Sequence, residues 1–369
     1  MNQTNNPLLP VDVVFHSSWW HKHTGITFDE DFFFHPSRRV EDERRMEKEL
    51  YERFGEFGLG ADNDKNLPQI GAVHLAAGYL LSGMLGCQIK YNENAAPQVI
   101  CAHRDDFNID EEAAFKSADF NRLLTLIDAL KAKYGYVSGD INWSGILNIA
   151  IDMKGENVLI DMALNPDECK AYFRKIGCII ERFFAFIQSQ TGSNSISVNR
   201  TVRHIKESVY LHSECTHTMI SEDDYREFLM PVDAEWSRKY RPYGIHYCGK
   251  DPHRHATAYG ELPHLDFFDF GWGGDIAMMR KHLPETLLNL RLDPVSLNSY
   301  SHHEIEDFIR KGVALSGNPY LTGICCINMD ADTDDEKVLT ILRTVKAIRT
   351  LAKTNIPNLL ESHCFATLL

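Results

Sequence analysis

The sequence has no excess of positive charge, since 38 Lys and Arg stand against 52 Asp and Glu in 369 residues, a formal net charge of −14. A nucleic-acid-binding surface needs clustered basic residues that neutralise phosphates, so we expect no nucleic-acid partner. The sequence also lacks a GxGxxG element, a P-loop and a GxSxG element. Nucleotide binding and serine hydrolysis are therefore without support.

Long apolar runs are absent too. The longest, near residues 76–85, contains glycine and is too short to cross a bilayer, and the first residues lack the basic and apolar regions of a secretory signal. The nine cysteines are an odd number spread along the chain, which is typical of a reducing compartment. We expect a cytoplasmic protein with no membrane association, and the 17 histidines are a first indication of metal chemistry.

The material for a sizeable core is present, because 44% of the residues are hydrophobic. From about residue 70, segments with helical periodicity alternate with short β-branched runs, which predicts βα units around a parallel sheet. Eight strands are predicted, the number that a (β/α)₈ barrel requires: residues 11–16, 99–102, 136–140, 208–212, 243–248, 266–270, 287–292 and 321–328. We expect a TIM barrel over residues 61–369, with residues 1–60 as an N-terminal extension over the barrel mouth.

Four long helices are predicted from their periodicity, at residues 39–54, 120–133, 167–190 and 335–352. The first is so rich in Glu, Arg and Lys at helical spacing that we expect it to be a solvated surface element. Ser221 with Asp224, and Ser301 with Glu304, have the spacing of capping boxes and predict two further helix starts.

The most informative segment reads Gly-Ile-His-Tyr-Cys-Gly at residues 244–249. His246 and Cys248 lie two apart on a predicted strand, so their side chains point to the same face and can reach one ion. Zinc suits mixed imidazole and thiolate ligands, and a catalytic zinc takes three protein ligands. The best third donor is the Cys325-Cys326 pair in the last predicted strand, where one of the two side chains must point inward.

Several segments in a fixed order resemble the uroporphyrinogen decarboxylase superfamily, in its branch of cobamide-dependent methyltransferases. The similarity covers roughly residues 70–355. The segments that carry it are residues 137–150, 215–221, 225–231, 246–249, 265–270 and 290–294. The Arg-rich N-terminal signature that true uroporphyrinogen decarboxylases use for substrate carboxylates is absent here, and Trp19-Trp20-His21 occupies that region, which disfavours porphyrinogen decarboxylation.

The resemblance implies a TIM barrel with zinc held by His246, Cys248 and either Cys325 or Cys326. The sequence separation between Cys248 and Cys325 is close to that expected in this branch, so Cys325 is preferred to Cys326 as the third ligand. The resemblance also implies methyl transfer between a small methylated substrate and a corrinoid carried by a partner protein. The substrate classes are a methoxyaromatic, a methylamine and a methyl thiol.

The aromatic residues near the N-terminus favour a small apolar or aromatic methyl donor, and thus O-demethylation. On this interpretation Trp19, Trp20 and His21 contact the substrate, whereas simple core or lid packing is the alternative. The expected partners are a corrinoid protein and the small methylated substrate, with a homodimer as a further expectation.

Four other residues are candidates for chemistry. Asp140 and Asp293 fall at predicted strand ends and could be general acids or supports of the metal ligands, although Asp-Pro is also a turn and helix-start signal. Glu214 and His217 lie just before a capped helix, where they could hold zinc, support its ligands or contact substrate, or simply cap the helix or lie at the surface.

Two other functions fit the same barrel. One is a metal-free decarboxylase or other lyase that relies on Asp140 and an arginine cluster, and its activity would survive a Cys248→Ser change. The other is a non-catalytic factor that binds a corrinoid protein tightly and turns over no methyl donor.

Overall fold

A parallel sheet of six strands lies at the centre of the protein. The structure is a computed structural model that describes residues 7–354 except residues 73, 194–204 and 206. The strand order is β1-β8-β7-β6-β5-β4, and every neighbouring pair is parallel. The six strands are Val11–Phe15 (β1), Tyr210–Ser213 (β4), Tyr243–His246 (β5), Phe267–Phe270 (β6), Leu287–Leu292 (β7) and Thr322–Met329 (β8), with β2 and β3 forming a separate hairpin.

Both faces of this sheet are covered, because residues of every one of its strands are buried almost without exception. Such strands read as continuous apolar runs, which is typical of parallel sheets under helices. The helices are Ser17–Thr24 (α1), Glu30–Phe34 (α2), Pro36–Phe54 (α3), Leu80–Met84 (α4), Glu111–Ala114 (α5), Ala118–Tyr134 (α6), Ile146–Lys154 (α7), Asn157–Leu164 (α8), Pro166–Thr191 (α9), Glu222–Asp224 (α10), Met230–Lys239 (α11), Ala256–Gly260 (α12), Ile276–His282 (α13), Pro294–Ser299 (α14), His302–Ser316 (α15) and Asp335–Thr354 (α16).

Two of the eight predicted strands are wrong. Residues 99–102 contribute to Gln98–Ile100 (β3), which pairs with Gln88–Lys90 (β2) in an antiparallel hairpin outside the main sheet. Residues 136–140 make only an isolated parallel bridge between Ser138 and Gln69. Among the described residues, the side of the barrel between β1 and β4 therefore consists of irregular segments and contains no strand of the main sheet.

Close backbone approach explains this irregular part. A Cβ at Gly71 would lie 1.7 Å from the carbonyl oxygen of Asp140, and Gly139 has a φ of +81°. These glycines allow the two segments to touch in a geometry that a regular ladder of side-chain-bearing residues does not reach.

The long predicted helices and both capping boxes are confirmed, at α3, α6, α9 and α16 and at Ser221 and Ser301. The expectation that the charged helix α3 is a solvated element is wrong. Its inner face is buried and includes Arg39, Asp42 and Glu43 beside Met46 and Leu50. Charge density misled the prediction because these ionic side chains pair with one another and with the loop that follows.

The division of the chain at residue 60 stays a prediction. β1, which falls within residues 1–60, is hydrogen-bonded along its length to β8 and belongs to the central sheet. Helix α1 begins directly after it, and Lys22 donates to the carbonyl oxygen of Ala331 beyond β8. Within the described residues, no helix is both long and apolar enough to span a membrane.

Candidate metal centre

Two neighbouring strands end side by side, and a cysteine follows each of them. β4 ends at Ser213 and β5 ends at His246, and the register pairs these two residues. Cys215 and Cys248 each lie two residues further along the chain. The candidate ligand atoms of Cys215, His246 and Cys248 all lie within 4.8 Å of one another. We call these three residues the Cys-His-Cys cluster.

The contacts within the cluster are short. Nε2 of His246 lies 2.8 Å from Sγ of Cys248, and the sulfurs of Cys215 and Cys248 are joined as a disulfide. His246 is buried, whereas both cysteines are half-buried. Because a metal ion needs both sulfurs as thiolates, the cluster can bind one only after reduction.

A glycine brings Cys215 to the other two residues. Cys215–Met219 forms a 3₁₀ turn, in which Thr218 Oγ1 donates to the carbonyl oxygen of Cys215. A Cβ at Gly249 would lie 2.0 Å from Cγ2 of Thr218. Only glycine therefore lets the turn after β5 pack this closely against the turn after β4.

A buried carboxylate orients the histidine. Asp269, which pairs with His246 in the sheet register, accepts a hydrogen bond from Nδ1 of His246. It also accepts one from Nδ2 of Asn289 at 3.0 Å. Burial alone would raise the pKa of Asp269, but the charge and hydrogen bond of His246, together with Arg291 and Asn289, lower it. A carboxylate on the far nitrogen is the usual support of a metal-bound histidine.

The structure separates Cys325 and Cys326 from the cluster, contrary to the expected ligand set. Cys325 lies four residues before the end of β8, so its thiol is deep in the barrel, 3.2 Å from Nδ2 of Asn289 and 3.7 Å from Oδ1 of Asp269. Burial and the nearby Asp269 raise its pKa well above the ordinary range. The thiol of Cys326 donates to the carbonyl oxygen of Leu292, and burial raises its pKa to about 12.

Glu214 and His217 lie beside the cluster but in a separate buried network. Oε1 of Glu214 accepts a hydrogen bond of 2.6 Å from the backbone N–H of Ile146, the first residue of α7. Burial and the charge of Asp233 raise the pKa of Glu214 well above its usual value. Nδ1 of His217 lies 2.9 Å from the hydroxyl of Tyr259, and burial lowers the pKa of His217 to about 3.

The two aspartates predicted as general acids lie elsewhere. Asp140 accepts a hydrogen bond from Ser193, which follows the end of α9. Asp293 caps α14 by accepting from the N–H of Val295 and the hydroxyl of Ser296. Neither belongs to the Cys-His-Cys cluster, and the helix-start interpretation of Asp293 is the one that the structure shows.

The expected substrate contacts of the tryptophans are corrected as well. Trp19 and Trp20 are 0% and 1% exposed, and Trp19 stacks on Phe15 with ring centroids 3.9 Å apart. Both indoles belong to the core, since the apolar interface of α1 with β1 and α3 encloses them. His21 is half-buried, with Nδ1 3.0 Å from the carbonyl oxygen of Ile26.

A second group of metal-type ligands lies on α3 and the loop after residue 72. Nε2 of His74 is 2.9 Å from Glu43 and 3.0 Å from Glu47, and Arg39 lies 3.7 Å from Glu43. Burial would raise the pKa of Glu43, but the charges of His74 and Arg39 lower it overall. Two carboxylates facing two basic side chains form a buried ion-pair group that ties α3 to the loop.

Sequence reasoning missed Cys215 as a member of the cluster and Asp269 as its support. Asp269 had a usable signal, since it is the one charged residue in the aromatic run Phe-Phe-Asp-Phe of β6. A buried carboxylate in such a strand needs a partner. For Cys215 the sequence contains no such signal, because the register between β4 and β5 cannot be determined from either strand alone.

Comparison with known proteins gives a likeness in structure rather than in sequence. No family model and no curated protein matches the sequence. A methyltransferase from Methanosarcina mazei has a TM-score of 0.62 and 13% identity, with 94% of this chain and 94% of that chain covered. A B12-independent methionine synthase from Shewanella sp. W3-18-1, solved in complex with selenomethionine, has a TM-score of 0.52 and 8% identity, with 95% and 99% covered. The predicted α/β TIM-barrel fold is confirmed, and it is the fold that the resemblance implied.

Proposed function

We propose that the protein is a zinc-dependent methyltransferase of the uroporphyrinogen decarboxylase superfamily, which moves a methyl group between a small molecule and a corrinoid on a partner protein. The observation that carries the proposal is the Cys-His-Cys cluster at the carboxyl ends of β4 and β5. Enzymes built on this barrel have their active sites at that face. The fold shared with a methyltransferase and a methionine synthase supports the proposal.

The donor set suits zinc. One imidazole nitrogen and two thiolates are ligands that zinc prefers, and three protein ligands leave a fourth position open. When bound, zinc would supply a Lewis-acid position that keeps a thiol deprotonated at neutral pH or polarises a methoxy or methylamine group.

The chain's own residues prepare this position. Asp269 accepts the hydrogen bond of Nδ1, so the proton of His246 is held on that nitrogen and the lone pair of Nε2 faces the cysteines. Asn289 fixes the carboxylate of Asp269 in turn. Glu214, the residue before Cys215, accepts a hydrogen bond from the backbone N–H of Ile146 and so ties Cys215 to the start of α7. The cluster is thus held by hydrogen bonds from three separate elements.

The proposal includes three classes of methyl donor. The aromatic residues that favoured O-demethylation are in the core, so methoxyaromatics, methylamines and methyl thiols stand equally in this proposal. The half-buried cysteines leave the cluster accessible to a small molecule of any of them.

Metal analysis of the purified, reduced protein tests the first step. We expect about one zinc ion per chain, and much less in Cys215→Ala and Cys248→Ala. The matched control is Cys325→Ala, which removes a thiol outside the cluster and keeps the zinc. Folded wild type with no more zinc than Cys248→Ala would overturn the proposal, and loss in Cys325→Ala alone would restore the ligand set that the resemblance implied.

Methylation of cob(I)alamin by each donor class, followed by absorbance, tests the second step. We expect one class to react with wild type and not with Cys248→Ala. Methylation that survives Cys248→Ser would contradict a role of the cluster in the transfer. Decarboxylation or other lyase turnover that survives Cys248→Ser, with no methylation, would favour the metal-free lyase, and tight binding of a corrinoid protein without any turnover would favour the non-catalytic factor.

A further inference from the structure

Two cysteines flank the hairpin of β2 and β3 at its open end. The ladder between these strands ends at the pair of Gln88 with Ile100, so Cys87 and Cys101 are the next residues opposite each other. Residues directly opposite in an antiparallel pair lie on the same face, with Cβ atoms about 4.5–5.5 Å apart. That spacing is close to the one that a disulfide needs, and both thiols are free in the structure.

The burial pattern places both thiols on the inner face of the hairpin. Residues of β2 and β3 alternate between exposed and half-buried, and Ile89 and Val99 are the half-buried ones. Cys87 lies two residues before Ile89, and Cys101 lies two after Val99, so the period of a strand turns both cysteines to this face. Cys87 is 5% exposed, whereas Cys101 is half-buried. An oxidant from solvent therefore reaches Cys101 first.

The last turn of α7 holds the two thiols next to each other. Sγ of Cys101 lies 3.5 Å from the carbonyl oxygen of Ile151. Sγ of Cys87 lies 3.3 Å from the carbonyl oxygen of Asp152, the next residue. The backbone N–H of Ala102 donates to that same oxygen of Asp152 at 2.9 Å. The open end of the hairpin thus packs on one turn of one helix, and rotation of the two side chains is the movement that brings their sulfurs together.

The two thiols differ as a reactive and a resolving cysteine do. Burial, together with the charges of Asp152 and Cys101, raises the pKa of Cys87 to about 11, so Cys87 is a protonated thiol at neutral pH. Sγ of Cys101 accepts a hydrogen bond from the backbone N–H of His103, which has a φ of +49°. A donated N–H stabilises negative charge on sulfur, and the thiolate is the form that peroxides oxidise.

We propose that Cys101 and Cys87 are a peroxide-reactive pair, in which a hydroperoxide oxidises Cys101 and Cys87 converts the product into a disulfide. In the first step the sulfur of Cys101 takes one peroxide oxygen and becomes a sulfenic acid. The O–O bond breaks, and the other oxygen takes up the proton of the thiol and leaves as an alcohol or water.

In the second step the sulfur of Cys87 bonds to that of Cys101. The S–O bond breaks, and the sulfenic hydroxyl leaves as water with the proton of the Cys87 thiol. The pair of thiols loses two electrons in total, and one hydroperoxide is reduced. Neither cysteine belongs to the Cys-His-Cys cluster, so this reaction does not depend on the proposed function.

Peptide mapping without reduction tests the bond on the reduced, full-length protein after treatment with hydrogen peroxide and alkylation. Trypsin cleaves after Lys65, Lys90 and Arg104, and peptides 66–90 and 91–104 each contain one cysteine of the pair. We expect these two peptides to be joined, lighter by two hydrogen atoms than their sum, and separated again by a phosphine. The disulfide of the Cys-His-Cys cluster joins other peptides and is not confused with this one. Peptides that stay separate would overturn the proposal, whether or not the protein binds zinc.

Dimedone, which traps sulfenic acids, tests the different roles of the two thiols. In Cys87→Ser we expect a dimedone adduct on Cys101, because the thiol that resolves the sulfenic acid is gone, and we expect this adduct to be lost in wild type. In Cys101→Ser, Cys87 should remain unlabelled. Cys178, an exposed cysteine of α9, is the internal control, and its adduct should have the same yield in wild type and in Cys87→Ser. Equal yields on Cys101 in these two proteins, or an adduct on Cys87 in Cys101→Ser, would contradict the assigned roles. The mapping of wild type decides on the bond even if a variant fails to fold.

Discussion

His246 has two ring nitrogens with different tasks. Nδ1 is held by the carboxylate of Asp269, while Nε2 lies 2.8 Å from Cys248. Because the proton is held on Nδ1, the other nitrogen is free to bind a metal. The cluster therefore depends on a residue that is not itself a ligand.

Replacing that residue by its amide should weaken the cluster without dismantling it. Asp269→Asn keeps the volume of the side chain but removes the charge that orients His246, so we expect zinc affinity to fall about 10- to 100-fold. Competition with a chromophoric chelator on the reduced protein measures this. Cys326→Ala, on the outer face of β8, is the control and should bind zinc like wild type. Equal affinities for Asp269→Asn and wild type would contradict the proposed support.

Part of this site could be predicted from the sequence. His246 and Cys248 belong together because of a local rule, the two-residue period of a strand. The third member could not be predicted, since the choice between Cys215 and Cys325 depends on where each strand ends. Cys248 follows the last residue of β5, whereas Cys325 precedes the end of β8 by four residues.

His217 should make stability depend on pH. Burial lowers its pKa from 6.5 to about 3, so in that range the unfolded chain binds a proton that the folded protein excludes. The stability contributed by neutral His217 is complete above pH 6.5 and falls by about 1.4 kcal/mol per pH unit below it. Urea unfolding of wild type and His217→Gln between pH 4.5 and 7 should show a shallower pH dependence in the variant. Parallel profiles would contradict the neutral, buried state of His217.

At the scale of elements, the irregular side of the barrel includes one very close backbone contact. A Cβ at Gly71 would lie 1.7 Å from the carbonyl oxygen of Asp140, whereas a Cβ at Gly177 in α9 meets nothing closer than 3.5 Å. We expect Gly71→Ala to destabilise the protein by about 3 kcal/mol or more, because backbone must move. Gly177→Ala should be neutral or stabilise by up to about 1 kcal/mol. Urea unfolding measures both, and similar values for the two would contradict a tight junction at Gly71.

The same region shows why two strands were not predictable. Residues 99–102 have the β-branched composition of a strand, but composition does not say whether a strand joins the barrel or a surface hairpin. In the hairpin the residues of β3 alternate between exposed and half-buried, unlike the fully buried strands of the sheet. The helices were more predictable, because periodicity and capping are local signals.

At the scale of the molecule, the residues of the site come from four consecutive strands of one sheet. The segments after β4 and β5 bring the cysteines, β5 brings His246, β6 brings Asp269, and β7 brings Asn289. A ligand at the barrel mouth thus joins elements that are about 75 residues apart along the chain. Binding to the folded state alone stabilises the whole molecule by mass action.

Zinc should therefore stabilise the reduced protein and leave the oxidised protein unchanged. Free zinc at about 100 times its Kd would add about 2.7 kcal/mol to the free energy of unfolding, provided that Cys215 and Cys248 are thiolates. The disulfide between them removes two of three ligands. Thermal unfolding with and without zinc, after phosphine reduction or diamide oxidation, measures the difference. Cys325→Ala should respond like wild type, and Cys215→Ser should lose the stabilisation even when reduced. An equal rise in the oxidised protein would mean that zinc binds elsewhere in the chain.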